Sequence, residues 1–187
     1  QPDLPEGARE GIIRGMYTLR RAEAAQVRLL GAGTILLEVI AAAELLERDF
    51  GITAEVLSVT SFSELAREAV AVERENRLSA AEAPAQSHVE TLLAGPAPVI
   101  AASDYVRAVA AQIAPFVPAR YVILGTDGFG RSANRKALRR FFEVDRQHIA
   151  LAAIEALVRD GTLDRAVLTR AIDTFGIDAA TAAPWTL

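Results

Sequence analysis

The densest set of chemically capable residues lies in Gly125-Thr126-Asp127-Gly128-Phe129-Gly130-Arg131-Ser132. Three glycines permit unusual backbone angles, Asp127 supplies a carboxylate, and Arg131 with Ser132 could grip an anion. The stretch follows the apolar run Tyr121 to Leu124 and precedes a helical pattern, the position at which open α/β sheets tend to bind ligands. It lacks the G-x-x-x-x-G-K-[ST] spacing of a nucleotide phosphate loop. The reading preferred here is a shaped loop pinned against another domain. Phe129, flanked by Gly128 and Gly130, then serves to plug a pocket on a neighbouring surface, the alternative being that Asp127, Phe129, Arg131 and Ser132 line a substrate channel.

Other candidates carry less. Gly31-Ala32-Gly33 stands between a strand and a helix, but Leu36 occupies the place of the third glycine of the dinucleotide fingerprint, so a tight turn is the better reading. His88 and His148 are the only histidines, and neither falls in H-x-x-x-H or H-E-x-x-H spacing. Ser61, Ser63 and Ser132 lack a G-x-S-x-G elbow. Asp104 and Asp127 follow strands, where capping accounts for them, and no spacing supports paired-carboxylate catalysis. There is no cysteine, which excludes disulfides, thiolate metal sites and cysteine nucleophiles. From these residues alone, no catalytic, cofactor-binding or metal-binding position is assigned.

These residues need a scaffold, and the patterning supplies one. An apolar fraction of 51% over 187 residues is enough for one globular domain with a substantial core. Strands are expected at Ile12 to Leu19, Gln26 to Leu30, Ala54 to Val59, Val99 to Ala102 and Tyr121 to Leu124. Helices are expected from Thr34 to Phe50, with Glu44 and Arg48 paired outside, and from Ser61, which begins a capping box with Glu64, towards Val72. Glu73 to Ser87 reads as an irregular connection or loosely held helix, and His88 to Leu93 as a short helix. Asp104 is expected to open a helix to about Ala114, broken by Pro115. Asn134 to Phe142, a segment capped by Asp145 and one capped by Asp164 complete the chain. Strands alternating with helices predict a three-layer open α/β sheet of about five mostly parallel strands, with helices on both faces.

The formal charge is −4, from 24 acidic and 20 basic residues. Arg135, Lys136, Arg139 and Arg140 form the densest basic cluster, read as a solvated face or domain interface rather than a nucleic-acid site, since no aromatic stacking pattern accompanies it. No apolar run approaches the roughly 20 residues of a membrane span. Asp3, Glu6, Arg9 and Glu10 give the first residues no signal-peptide character, and a cytoplasmic location is expected. The sequence opens at Gln1, and Gln1 to Gly7 reads as an exposed linker, so the chain is expected to be a piece of something longer. Residues 1–15 are assigned to a lead-in from a preceding domain and 16–187 to the domain proper.

Several stretches resemble a known family. Leu30 to Leu36 is similar to the opening strand-turn-helix of transketolase-type C-terminal domains, and Ser58 to Leu65 to the second strand and helix start in the homodimeric pyruvate dehydrogenase family. The most specific match is Leu124 to Ser132, followed by Arg135, Leu138, Arg139 and Phe142-Glu143-Val144-Asp145; Ser103-Asp104-Tyr105 and Glu10 to Tyr17 add weaker ones. The resemblance implies the C-terminal, transketolase-like domain of a 2-oxo-acid dehydrogenase, a part with a structural and dimerising role that is inactive alone. It implies a parent enzyme that oxidatively decarboxylates pyruvate and acetylates lipoyl groups. The implied partners are the parent's own N-terminal and middle domains, a second copy, and the dihydrolipoyl acyltransferase of the complex. In that family thiamine diphosphate and magnesium are held by a Gly-Asp-Gly motif and paired asparagines in the preceding domains. This chain has only Asn76 and Asn134 and no Gly-Asp-Gly, so no cofactor is expected to bind it. Transketolase proper fits less well, because Arg131 stands between Gly130 and Ser132.

The sequence also departs from the family. Glu75 replaces an aromatic, Leu78-Ser79-Ala80 stands where Leu-His-Pro is usual, and Ala133 replaces an aspartate. These departures raise a paralogue acting on another 2-oxo acid, such as 2-oxobutyrate; a docking module for the acyltransferase core is a separate alternative.

Overall fold

Adjacent residues of the central strands point to opposite sides, and both sides are apolar. Leu29 and Ile100 face one core while Leu30 and Ala101 face another, all fully buried. Strands covered on both faces read as continuous apolar runs, as in Val99-Ile100-Ala101-Ala102. A computed structural model describes residues 3–79 and 83–186 of the chain.

The elements in order are α1 (Ala8–Arg14), β1 (Met16–Arg20), β2 (Val27–Ala32), α2 (Leu36–Phe50), β3 (Ala54–Val59), α3 (Phe62–Leu78), α4 (His88–Leu92), β4 (Val99–Ala102), α5 (Arg107–Ala111), β5 (Tyr121–Leu124), α6 (Arg135–Phe141), α7 (Arg146–Arg159) and α8 (Arg165–Phe175). The sheet order is β1-β3-β2-β4-β5. All neighbours are parallel except β1, which runs antiparallel to β3. Helices α2, α7 and α8 cover one face, where Val39, Leu46, Ile149, Ile154 and Ala171 join the core. On the other face Leu65, Val89 and Ala110 bring in α3, α4 and α5.

The expected α/β architecture is what forms, with local corrections. Ile12 lies in α1 rather than a strand, and the strand starts at Met16, after Gly15 turns the chain in a left-handed conformation. Of the lead-in, Gln1 and Pro2 lie outside the described residues. Helix α2 is preceded by a 3-10 turn at Gly33–Ile35, and Arg48 pairs with Asp49 instead of Glu44. Helix α3 runs beyond Val72 to Leu78, so the first part of the stretch read as irregular or loosely helical is helix; its Ala80, Ala81 and Glu82 lie outside the described residues. Helix α4 has a complete Ser87–Glu90 capping box.

The largest correction concerns Asp104. It opens no helix; α5 begins at Arg107, lasts five residues, and is followed by a 3-10 turn at Ala114–Phe116 that contains Pro115. Pro115 has no N–H to continue an α-helix, and the chain tightens instead.

Candidate functional site

Strand order reverses direction between β2 and β4: the chain leaves β2 for β3 on one side and returns to β4 on the other. Loops after such strands diverge and leave a crevice at the carboxyl ends. Here the diverging loops are Gly33–Ile35 after β2, Ser103 to Val106 after β4, and Gly125 onward after β5. Between them and α6 lies a cavity of about 500 Å³, lined by Thr34, Asp104, Thr126, Arg131, Arg135 and Arg139 among others.

The glycine turn has a packing explanation. A Cβ on Gly31 would stand 2.7 Å from the Leu36 Cα, so only glycine lets α2 begin this close to β2. That supports the tight-turn reading over a phosphate-binding one.

Hydrogen bonds tie the loops together. Thr34 Oγ1 donates to Asp104 Oδ2 at 3.3 Å, and Thr126 Oγ1 donates to the Asp104 carbonyl at 2.9 Å. The Thr126 N–H donates to the Tyr105 carbonyl at 2.9 Å. Asp127 Oδ2 accepts from the first amide of α5, that of Arg107, at 3.3 Å. The cap of α5 thus comes from the next strand's loop and not from Asp104.

Beyond Asp127 the expected site residues separate. Asp127 is half-buried at the loop's base, whereas Phe129 is 83% exposed at its apex. Arg131 lies over the Phe141 ring at 4.4 Å, and Ser132 is exposed. Gly128 has φ +105°, and a Cβ there would stand 2.9 Å from the Pro184 carbonyl oxygen, so the C-terminal turn packs directly on the loop. The loop has a pinned base and a projecting aromatic tip.

Glu38 is not among the residues that the sequence singles out. It is buried on α2 and holds two arginines: Arg139 Nη1 donates to Oε1 at 2.7 Å, and Arg146 donates from its backbone N–H, Nε and Nη2. Burial pushes the Glu38 carboxyl up, but the hydrogen bonds and charge of Arg146, with Arg139 adding, outweigh it and hold it below the ordinary carboxylate range. A signal was present, because Glu38 shares a helical face with Ile35 and Ala42, both buried. A charge on such a face calls for a partner.

The histidines are apart. His88 Nε2 meets the Met16 carbonyl oxygen at 2.8 Å, and His148 Nδ1 meets Asp145 Oδ1 at 2.7 Å. Asp145 also accepts from the His148 amide as the cap of α7. Burial raises the Asp145 carboxyl, while His148 and Arg140 lower it by more.

The residues do not fit a diphosphate–magnesium cradle. The Asn76 side chain bonds the Ala85 backbone in both directions, and the Asn134 side chain caps α6. Both asparagines are spent on the chain's own backbone. Among the described residues, no group of three or more His, Cys, Asp or Glu side chains could hold a metal ion. No helix among them is long and apolar enough to cross a membrane.

Residues 15–145 match the transketolase-like TK C-terminal domain family. The chain belongs to that family. This transketolase C-terminal domain is 54% identical over 183 residues to the pyruvate dehydrogenase E1 component of Pseudomonas aeruginosa, covering 95% of this chain and 21% of that protein. It is 45% identical over 181 residues to the pyruvate dehydrogenase E1 component of Escherichia coli, covering 95% and 20%. The chain therefore spans about a fifth of the length of the curated relatives it matches. Solved transketolases share the fold. One from Leishmania mexicana gives a TM-score of 0.58 at 20% identity, over 83% of this chain and 20% of that one. A Pichia stipitis transketolase in complex with sedoheptulose 7-phosphate gives 0.61 at 18% identity, over 87% and 21%.

Proposed function

We propose that this chain is the C-terminal, assembly-supporting domain of a thiamine diphosphate-dependent pyruvate dehydrogenase. The parent would oxidatively decarboxylate pyruvate in the cytoplasm and pass the acetyl group to lipoyl groups of a dihydrolipoyl acyltransferase. Thiamine diphosphate and magnesium would be held by the parent's preceding domains and across its dimer, with none bound by this chain. The observation that carries the reading is the 54% identity to a pyruvate dehydrogenase E1 component across nearly the whole domain.

The loop geometry supports the structural role. Phe129 projects from a base fixed by Thr126 and Asp127, and an aromatic ring held out into water loses the free energy it would gain by burial. We assign its contact to the parent's own domains or the second copy. Glu75 is exposed on α3, a helix of the sheet face opposite α2 and α7, so this departure alters a surface of the domain and leaves its core unchanged.

The test is a steady-state assay of the full-length parent with thiamine diphosphate, magnesium and a lipoyl domain. Pyruvate is expected to be the preferred 2-oxo acid by kcat/KM. A preference for 2-oxobutyrate would transfer the assignment to a paralogue. Capture of the acyltransferase's peripheral-subunit-binding segment by this domain alone would make it a docking module instead.

A further inference from the structure

We infer that the cavity between the 125–132 loop and α6 binds the phosphate group of a small organic phosphate. The inference does not depend on the identity of the parent enzyme. Residues 131–146 contain six arginines and lysines against Glu143 and Asp145, leaving fourteen basic against twenty-two acidic residues for the rest of the chain. Three of the six, Arg131, Arg135 and Arg139, line this cavity, while Lys136, Arg140 and Arg146 line a neighbouring one.

The arginines there are not equivalent. Arg135, Leu138, Arg139 and Phe142 recur at helical spacing and line the cavity together. Arg139 is committed, with Nη1 on Glu38 and Nη2 near the Thr34 carbonyl. Arg131 and Arg135 pair with no carboxylate among the described residues. The Arg131 guanidinium lies over the Phe141 ring, and Arg131 and Arg135 both line the same cavity. Two uncompensated guanidinium groups beside one space repel each other, and a dianion between them removes that repulsion. The planar forks suit phosphate oxygens through paired N–H···O bonds.

The rest of the cavity describes the remainder of the ligand. Ile35 and Val144 are almost fully buried and, with Leu138, give it an apolar floor. Asp104, already accepting from Thr34, belongs to the lining as well and can accept from a hydroxyl or amino group. About 500 Å³ lies within the range of small-molecule sites. A solvated arginine pair is the plainer reading of exposed side chains. It leaves unexplained why both belong to one apolar-floored cavity.

The test is calorimetric titration of this chain, whose sheet is covered on both faces by its own helices, with glycerol 3-phosphate and with inorganic phosphate as probes. Binding of glycerol 3-phosphate with a dissociation constant below about 1 mM at near-physiological salt is expected. The double variant R131Q/R135Q should bind it at least tenfold more weakly. The charge-matched control R74Q/R77Q, on exposed arginines of α3, should stay within twofold. Circular-dichroism melting checks that both variants fold. No heat at any probe concentration up to 10 mM (about tenfold above the expected constant), or equal weakening in both double variants, would overturn the inference. So would a full-length dimer structure with a protein carboxylate seated between Arg131 and Arg135.

Discussion

Glu38 on α2 and Arg146 at the start of α7 are joined by three hydrogen bonds, at 3.1 Å from the backbone N–H, 2.9 Å from Nε and 3.1 Å from Nη2. Since Arg139 reaches the same carboxylate from α6, one buried side chain fixes the approach of two helices to a third. This clamp stands behind the cavity wall, so the placement of α6 depends on it.

Replacing Glu38 with glutamine keeps the shape and removes the charge. Breaking a buried pair from one side costs roughly 3–5 kcal/mol. Arg146 is about half exposed here and can recover solvation, so a loss of about 2–3 kcal/mol is expected. Urea unfolding followed by circular dichroism measures it, and an unchanged midpoint would show that the clamp contributes nothing to stability.

The same carboxylate should make the domain acid-sensitive. Glu38 and Asp145 both have folded-state affinities for protons below those of the unfolded chain. Their contribution is therefore complete above the unfolded carboxylate range of about 4 and is lost as pH falls through the lower folded values. Urea midpoints at pH 6, 4 and 3 should fall more steeply for the native chain than for Glu38→Gln. Parallel profiles would assign the acid sensitivity to other groups.

Phe129→Ala separates the domain from its assembly. In this chain alone the exposed ring supports nothing, so stability should change by less than about 0.5 kcal/mol. In the full-length dimeric parent proposed above, the same change should raise the dimer dissociation constant and lower the melting temperature. Decarboxylation per assembled dimer should stay within about tenfold, equivalent to about 1.4 kcal/mol of barrier. A larger loss, at protein concentrations that keep the variant dimeric, would place Phe129 in a substrate channel and end the scaffold reading.

Thiamine diphosphate is not expected to bind this chain in magnesium buffer, because Asn76 and Asn134 are both occupied by the backbone. Calorimetry settles it. Micromolar binding would mean that a cofactor site exists here after all.

The layered architecture is legible along the chain. Apolar runs four to six residues long, set between helical periods, leave few arrangements other than a parallel sheet covered on both sides, and local caps at Ser61, Asn134, Asp145 and Asp164 are visible because capping acts within three residues. The sequence also marks Gly125 to Ser132 as unusual, since glycine spacing is a local property. What those residues touch follows from the docking of the elements in space. Asp127 caps a helix twenty residues earlier, Arg131 turns back to Phe141, and Glu38 meets Arg139 and Arg146 more than a hundred residues away. Charge partners are chosen by distance in space after the helices dock, and periodicity along the chain carries no record of that distance. Asp104 shows the same limit. Its position after a strand fits a helix cap, but the parallel pairing of β4 with β5 sets the two following loops side by side and gives that task to Asp127.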